Sequence, residues 1–185
     1  MQIINYLRDS VSTGFVDAKH QSHEIYRPQF LTNDKALGKK VLSSIVREIR
    51  DCESFWISVA FVTTSGVASI IASLEEFKEN GRSGRILVSD YLAFTQPDAL
   101  KRLMQFENIE LKMSQNRSFH AKGYLFKHGE IYNLVVGSSN LTGSALSVNT
   151  EWNLKVSASI DSQIITNAVL EFTREFELAT AVDYA

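Results

Sequence analysis

The segment Ser54–Phe61 reads SFWISVAF and is apolar at almost every position. A strand of this kind suits a sheet that is covered on both faces, because a strand with one wet face alternates apolar and polar residues. Segments with apolar residues at helical spacing flank it, at about 35–51 and 66–80. We therefore predict an α/β fold in which helices cover both faces of a mixed, mostly parallel sheet.

The remaining patterns supply further elements of such a fold. Strands are predicted at 85–89, 109–113, 120–127, 130–137 and 150–157, and helices at about 97–106 and 161–179. Residues 1–34 show weak periodicity, with a strand or helical turn near 3–8 and an extended piece at 24–31 that contains Pro28. No repeat or linker interrupts the chain, so we expect residues 1–185 to form a single domain, either alone or as the N-terminal part of a larger protein.

Composition and the lengths of the apolar runs indicate how the core is stabilised and in which compartment we expect the protein. Hydrophobic residues make up 44% of the 185 residues, which is enough to bury a core without a metal or disulfide staple. The single cysteine, Cys52, excludes an internal disulfide, and we expect it to be a buried structural thiol. No apolar run approaches the ~18 residues of a membrane span, and no secretory signal opens the chain. We therefore expect a cytoplasmic protein that does not contact membranes.

The overall charge gives no support for nucleic-acid binding, because the formal net charge is -2. A polyanion would have to meet a local basic patch. The candidate patch consists of Lys112, Arg117, Lys122, Lys127 and His128. The same residues are also compatible with solvated charges at strand edges, and charge alone does not decide between the two interpretations.

The chemistry is concentrated in residues 118–123 (SFHAKG), 137–140 (GSSN) and Glu151. His120 is a potential nucleophile and proton carrier, and Lys122 is a fixed cation that can stabilise charge on phosphate oxygens. A carboxylate can hold an imidazole in the correct tautomer, and Glu151 is our candidate for that partner of His120. These groups suffice for attack on a phosphodiester without a metal or any other cofactor.

Alternation along a strand would place His120 and Lys122 on one face, and Gly123 on the other, where its small size would admit a neighbouring backbone or helix. Ser138 and Asn140 follow the next strand, and either phosphate binding or turn formation and helix capping explains them equally well. The predicted catalytic residues are His120, Lys122, Asn140 and Glu151. The predicted substrate contacts are Ser138, Ser139, Lys127 and Arg117. Trp56 and Trp152 are expected to be core or rim aromatics rather than base-stacking platforms.

These residues resemble the HKD motif of the phospholipase D (PLD) superfamily, in which His-x-Lys is followed by an Asp and then by Gly-Ser-x-Asn. Residues 120–122 and 137–140 match this pattern, and Glu151 matches the acidic residue that follows the motif in the family's small nucleases. The family's Asp falls five residues after the Lys, where this chain has Lys127. The sequence segments FHAKGY and GSSNLT are similar to those of PLD-like domains found in restriction endonucleases and at the N-terminus of DEAD/DEAH-type helicases.

The resemblance implies a PLD-like fold and a metal-independent nuclease that acts on DNA through a phosphohistidine intermediate. Members of the family use two motifs that face each other, whereas this chain has one, so the resemblance implies a homodimer with the active site at its interface. One His120 would attack phosphorus and the other would protonate the leaving oxygen. The alternative is a catalytically degenerate module that binds DNA or a protein, fused to or associated with a helicase or restriction protein; the loss of the motif Asp favours it.

Overall fold

The structure is a computed structural model that describes residues 2–19 and 21–183. The helices are α1 (Gln2–Val11), α2 (Val41–Asp51), α3 (Thr64–Glu79), α4 (Pro97–Leu103), α5 (Gly143–Ser147) and α6 (Gln163–Leu178). The strands are β1 (Gln29–Leu31), β2 (Ser54–Val59), β3 (Ser83–Val88), β4 (Ile109–Met113), β5 (Lys122–His128), β6 (Ile131–Gly137), β7 (Asn153–Ser159) and β8 (Thr180–Ala181). Short helical turns lie at Ser12–Val16, Glu24–Tyr26 and Tyr91–Ala93.

The described strands form one mixed sheet in the order β1-β7-β6-β5-β2-β3-β4-β8, with helices on both faces. The predicted fold class is confirmed, but the expectation that the sheet is mostly parallel is wrong. Only β2–β3 and β3–β4 pair in parallel, whereas the other five pairings are antiparallel. Parallel strands need a long crossover such as α3, while β5 and β6 are joined by only two residues, Gly129 and Glu130.

The main core lies between the sheet and the layer of α2, α3 and α4. Strand β2 contributes Phe55, Ile57 and Val59, all fully buried, to this side. Its alternate residue Trp56 points to the other side, where it packs with clusters that include α6. Helix α6 supplies Ile165, Phe172 and Phe176 to this second layer. The near-continuous apolar character of β2 thus reflects its two packed faces, and Trp56 is a partly buried aromatic that packs against the second layer.

Some boundaries differ from the sequence-based expectations. The helix predicted from residue 35 begins at Val41, because Asp34 and Lys39 form a bridge around a turn in which Gly38 has φ +65°. The N-terminal turn predicted near 3–8 is the longer helix α1. Cys52 is fully buried, and burial raises the pKa of its thiol to about 12, which agrees with a structural thiol.

A buried charged network ties Glu48 of α2 to His128 of β5, Asn133 of β6 and Lys155 of β7. The carboxylate of Glu48 accepts hydrogen bonds of 2.8 Å from His128 Nε2 and from Asn133 Nδ2, and it pairs with Lys155 Nζ. Both Glu48 and Lys155 have side chains that are only 4% exposed. Burial raises the pKa of Glu48, but these hydrogen bonds and the charge of Lys155 outweigh it and lower the pKa to about 2.

We expect Glu48→Gln to destabilise the fold by about 3–5 kcal/mol at pH 7, because it leaves the Lys155 ammonium buried without a counter-charge. Urea unfolding followed by circular dichroism measures this loss. Glu53→Gln is the matched control, since Glu53 pairs with Lys127 at 3.3 Å on the surface. We expect that control to cost no more than about 1 kcal/mol, and equal losses in the two variants would contradict the network's role.

The contribution of Glu48 should also depend on pH. Its pKa is lowered from 4.5 to about 2 in the folded state, so folding favours the ionised carboxylate over the protonated acid. The stabilisation from the ionised carboxylate is therefore complete above about pH 4.5 and is lost as the pH falls towards 2. The pKa difference corresponds to about 3 kcal/mol of unfolding free energy. The difference in unfolding free energy between wild type and Glu48→Gln should shrink over this range, and a constant difference would refute the assignment.

Candidate active site

The predicted site residues lie at one edge of the sheet, where β5 begins and β6 ends. Because the two strands are antiparallel, with Gly123 opposite Val136, the first residue of β5 lies beside the last residue of β6. Lys122 is also opposite Val59, the last residue of β2. The three strand ends therefore bring the HAK and GSSN segments together, as the sequence predicts.

His120 and Lys122 are in direct contact at this edge. Lys122 Nζ lies 2.9 Å from His120 Nδ1 and 3.0 Å from Nε2, and it donates a 2.9 Å hydrogen bond to the carbonyl of His120. His120 precedes β5 rather than belonging to it, so the contact comes from Lys122 reaching back and not from strand alternation. Partial burial lowers the pKa of Lys122, while the nearby Glu151 carboxylate acts in the opposite direction.

Tyr91 is a site residue that the sequence did not reveal. Its ring centroid lies 4.5 Å from that of His120, with an interplanar angle of 53°. The turn that carries it has Leu92 at φ +53° and Ala93 at φ +58°. Two adjacent residues with side chains in the left-handed region are costly, and glycine or asparagine normally signals such a turn. This turn contains neither glycine nor asparagine, so the sequence gives no signal for its left-handed conformation.

Asn140 connects the loop after β6 to the end of β2. Its Oδ1 accepts hydrogen bonds from the backbone N–H of Ala60 at 3.0 Å and of Phe61 at 3.4 Å. Within the described part of the chain its Nδ2 makes no hydrogen bond, although the residue is 6% exposed. The carbonyl side of Asn140 is therefore structural, and its amide N–H groups stay available to an oxygen of a substrate.

Ser138 and Glu151 form a second pair at the same edge. The hydroxyl of Ser138 donates to Glu151 Oε2 and accepts from the backbone N–H of Trp152 at 3.1 Å. Gly137 makes this possible, because a Cβ at that position would lie 2.2 Å from the carbonyl oxygen of Trp152. The predicted direct contact between Glu151 and His120 is absent from the described residues of the single chain, where Glu151 bonds Ser138 instead.

Two predicted substrate contacts are not at the site. Ser139 is fully buried, and its hydroxyl accepts a 2.9 Å hydrogen bond from Asn153 Nδ2. Lys127 lies five residues along β5, about 16 Å from Lys122 at strand spacing, where it pairs with Glu53. Ser139 lies in the loop after β6 with its side chain buried, and the direction of β5 carries Lys127 away from Lys122, so both predictions are corrected. Arg117 is exposed in the loop that leads to His120.

The predicted basic patch is also divided. His128 bonds Glu48 at the opposite end of β5, and Lys112 lies 3.6 Å from Glu110 on β4. Only Arg117 and Lys122 of the original five remain near His120. Within residues 2–19 and 21–183, no group of three or more His, Cys, Asp or Glu side chains is placed to hold a metal ion. No helix in those residues combines the length and the apolar character needed to cross a membrane.

Comparison with known proteins places the fold. No curated protein matches the chain. The structure of NucT from Helicobacter pylori is similar at 16% identity and a TM-score of 0.67, covering 85% of this chain and 99% of that one. Nuc from Salmonella typhimurium, described as a phospholipase D family member, is similar at 13% identity and a TM-score of 0.64, covering 85% and 100%.

A longer protein contains the same fold. Phosphatidylserine synthase from Haemophilus influenzae Rd KW20 is similar at 14% identity and a TM-score of 0.65, covering 88% of this chain and 41% of that one. The family described as cardiolipin synthase, PLD-like domain matches residues 45–178, which is well over half of the chain. With this match, the HKD-type residues at one sheet edge and the shared fold, the chain belongs to the PLD-like domain family.

Proposed function

We propose that the chain is a metal-independent phosphodiesterase that cleaves DNA through a phosphohistidine intermediate. The observation that carries the proposal is the contact of Lys122 Nζ with both ring nitrogens of His120, at 2.9 and 3.0 Å, on an exposed edge of the sheet. DNA is favoured as the substrate by the similarity of FHAKGY and GSSNLT to PLD-like domains of restriction endonucleases and helicases.

The geometry supports a defined division of labour. A ring nitrogen of His120 forms the bond to phosphorus as the bond from phosphorus to the leaving oxygen breaks. The Lys122 ammonium, in contact with that ring, stabilises charge on the phosphoryl oxygens. The Nδ2 group of Asn140 offers a neutral donor to the same oxygens. Water then breaks the bond between phosphorus and nitrogen and releases the enzyme.

The leaving oxygen needs a proton from a second group. His128 does not provide it, because it bonds Glu48 at the opposite end of β5. A second copy of the chain supplies the missing group in our proposal, with the partner subunit's His120 acting first as acid and then as base. The site is then built from two copies of one motif around a twofold axis.

An exposed apolar patch beside the site suits this arrangement. Phe30 is 60% exposed, Val136 42%, Trp152 68% and Leu154 37%. Leu154 is opposite both Phe30 and Val136 in the sheet, and the Phe30 ring meets Trp152 edge-on at 5.4 Å. Contiguous exposed apolar groups of this kind mark protein interfaces. We propose that this patch packs against its own copy, so that Trp152 serves as the predicted rim aromatic.

The second candidate is a non-catalytic PLD-like module that binds DNA or a protein, and Lys127 in place of the motif Asp is the observation in its favour. Residue 127 lies about 16 Å from Lys122, beyond the cluster at the sheet edge, and it pairs with Glu53. The substitution thus leaves the contact of His120 with Lys122 intact, which favours the catalytic proposal.

Removing either central residue should abolish cleavage. We expect His120→Ala and Lys122→Ala to lower the rate of plasmid and single-stranded DNA cleavage in EDTA by at least about 1,000-fold, through loss of the nucleophile or of its stabilising charge. Lys127→Ala is the matched control, since it removes a lysine from the same strand at its other end. DNA binding without EDTA-resistant cleavage in the wild type would establish the second candidate instead.

A covalent intermediate should be detectable. Because a phosphoramidate is stable in base and labile in acid, an alkaline quench during turnover should trap labelled DNA on the protein. The adduct should be absent in His120→Ala and should disappear on brief acid treatment. An adduct that persists in His120→Ala, or one that survives acid, would exclude His120 as the nucleophile.

Disruption of the patch should separate the subunits and stop cleavage together. We expect Leu154→Glu to convert a dimer into a monomer by light scattering and to lose activity, because it places a charge in an apolar interface. Leu178→Glu, at a residue that is 72% exposed on α6, should do neither. An active monomer, or full activity per site in a mixed dimer of wild type and His120→Ala, would contradict the shared site.

A further inference from the structure

Gly123 occupies a position where a glycine serves no purpose within the chain. It lies inside β5 with continuous pairing to Ser58 and Val136, so it marks no bulge. Its φ is not in the left-handed region, which Gly38, Gly81 and Gly129 occupy. A glycine in a strand weakens that strand, and the remaining reason for one is the close approach of another group.

That group is not part of the described chain. The sequence led us to expect a neighbouring backbone or helix against Gly123, but a Cβ built there meets no atom within 4 Å. The expectation is wrong, since α6 packs on Leu125 and Leu134 and leaves the start of β5 uncovered. Gly123 instead opens a cleft of about 450 Å³ between the sheet and α6. This volume lies in the range of small-ligand sites.

The lining of the cleft differs in charge between its two sides. His120 and Lys122 line the side at the sheet edge, which we call the mouth, and Glu171 and Glu175 line the α6 side. Both carboxylates contact the single Arg174, so this side carries a surplus of negative charge. A phosphate is therefore attracted to the mouth and disfavoured at the α6 side.

The interior of the cleft suits a flat ring with polar edges. Trp56, Phe119 and Phe172 provide aromatic surface, and Leu125 and Leu134 provide aliphatic surface. Beside them, the hydroxyl of Ser58 makes no hydrogen bond within the described part of the chain. An occupant that is apolar on its faces and hydrogen-bonding at its edges satisfies both features.

We propose that this cleft binds one unpaired nucleobase of the substrate, on a nucleotide that adjoins the phosphate held by His120 and Lys122. The proposal rests on the proposed function, which supplies the phosphate position, and it adds that the substrate is single-stranded or has that nucleotide turned out of the duplex. Gly123 keeps the space that the base fills. Trp56 then has a role beyond that of a core aromatic.

Binding of small ligands tests the proposal without relying on cleavage. Calorimetry compares deoxynucleoside 5′- and 3′-monophosphates with 2-deoxyribose 5-phosphate and with inorganic phosphate. We expect the better nucleotide to bind about 5- to 100-fold more tightly than the sugar phosphate, because stacking on aromatic side chains adds affinity per base. Equal affinities for the nucleotides and the sugar phosphate would overturn the proposal.

Variants at residue 123 locate the effect. Gly123→Leu should fold, since nothing lies within 4 Å of a Cβ at that position and the rest of the side chain can enter the cleft. It should abolish the tighter binding of the nucleotide relative to the sugar phosphate, while leaving the binding of inorganic phosphate unchanged. Gly123→Ala should reduce the difference in affinity between the nucleotide and the sugar phosphate by a smaller factor. Lys127→Leu places the same side chain on the same face at the other end of β5 and should have no effect on that difference.

The outcomes separate this inference from the proposed function. Nucleotide-selective binding that Gly123→Leu abolishes supports the cleft, even if the wild type never cleaves DNA. Cleavage of DNA with no dependence on residue 123 or on the base overturns the cleft and leaves the proposed function standing. A Gly123→Leu protein that becomes monomeric by light scattering would show that a second copy, not a base, occupies the cleft, and would also overturn it.

Discussion

The antiparallel pairing of β2 with β5 is the constraint on which the rest of the structure depends. It joins two differently built halves, one in which β2, β3 and β4 run parallel through helical crossovers and one in which β5, β6 and β7 form a meander. The register sets Lys122 opposite Val59, so β5 begins where the parallel strands end. Loops at that edge of an α/β sheet are where binding sites form, and the pairing delivers the HAK and GSSN segments to it.

The two ends of β5 are used for opposite purposes. At one end, His128 bonds the buried carboxylate of Glu48, whose charge is satisfied within the chain by the buried ammonium of Lys155, and this network stabilises the fold. At the Lys122 end, some polar groups make no hydrogen bond within the described part of the chain, including the amide N–H groups of Asn140. Because the Glu48 network and the candidate site lie at different ends of β5, the network can stabilise the strand while the polar groups of the site remain accessible to a substrate.

The Lys122 end is also where the single chain looks incomplete. Glu151 is occupied by Ser138, one imidazole faces outward, and an apolar patch around Phe30 and Trp152 is uncovered. A second copy that covers the patch would complete the acid and base pair, while the cleft beside Gly123 would hold the neighbouring base. The proposed dimer and the proposed base site thus use adjacent surfaces, joined at Val136, and each limits where the other lies.

Local pattern was enough to predict much of this protein from its sequence. The α/β class, most helices and strands, and the placement of the HAK and GSSN segments at one edge of the sheet follow from periodicity, strand-end geometry and the spacing of the HKD-type residues. These are properties of short segments, which the sequence states directly. The family resemblance added the superfamily because the two parts of its motif, residues 120–122 and 137–140, are each a short contiguous segment.

Only the tertiary structure decided how those segments face one another. The dominance of antiparallel pairing, the burial of Ser139, the pairing of Lys127 with Glu53 and the hydrogen bond of Glu151 to Ser138 all depend on contacts between residues distant in sequence. Tyr91 reached His120 through a left-handed turn that its residue types do not announce. The empty space at Gly123 is likewise a property of how far α6 extends over the sheet, because packing between elements, and not the pattern within one, fixes which surfaces remain uncovered.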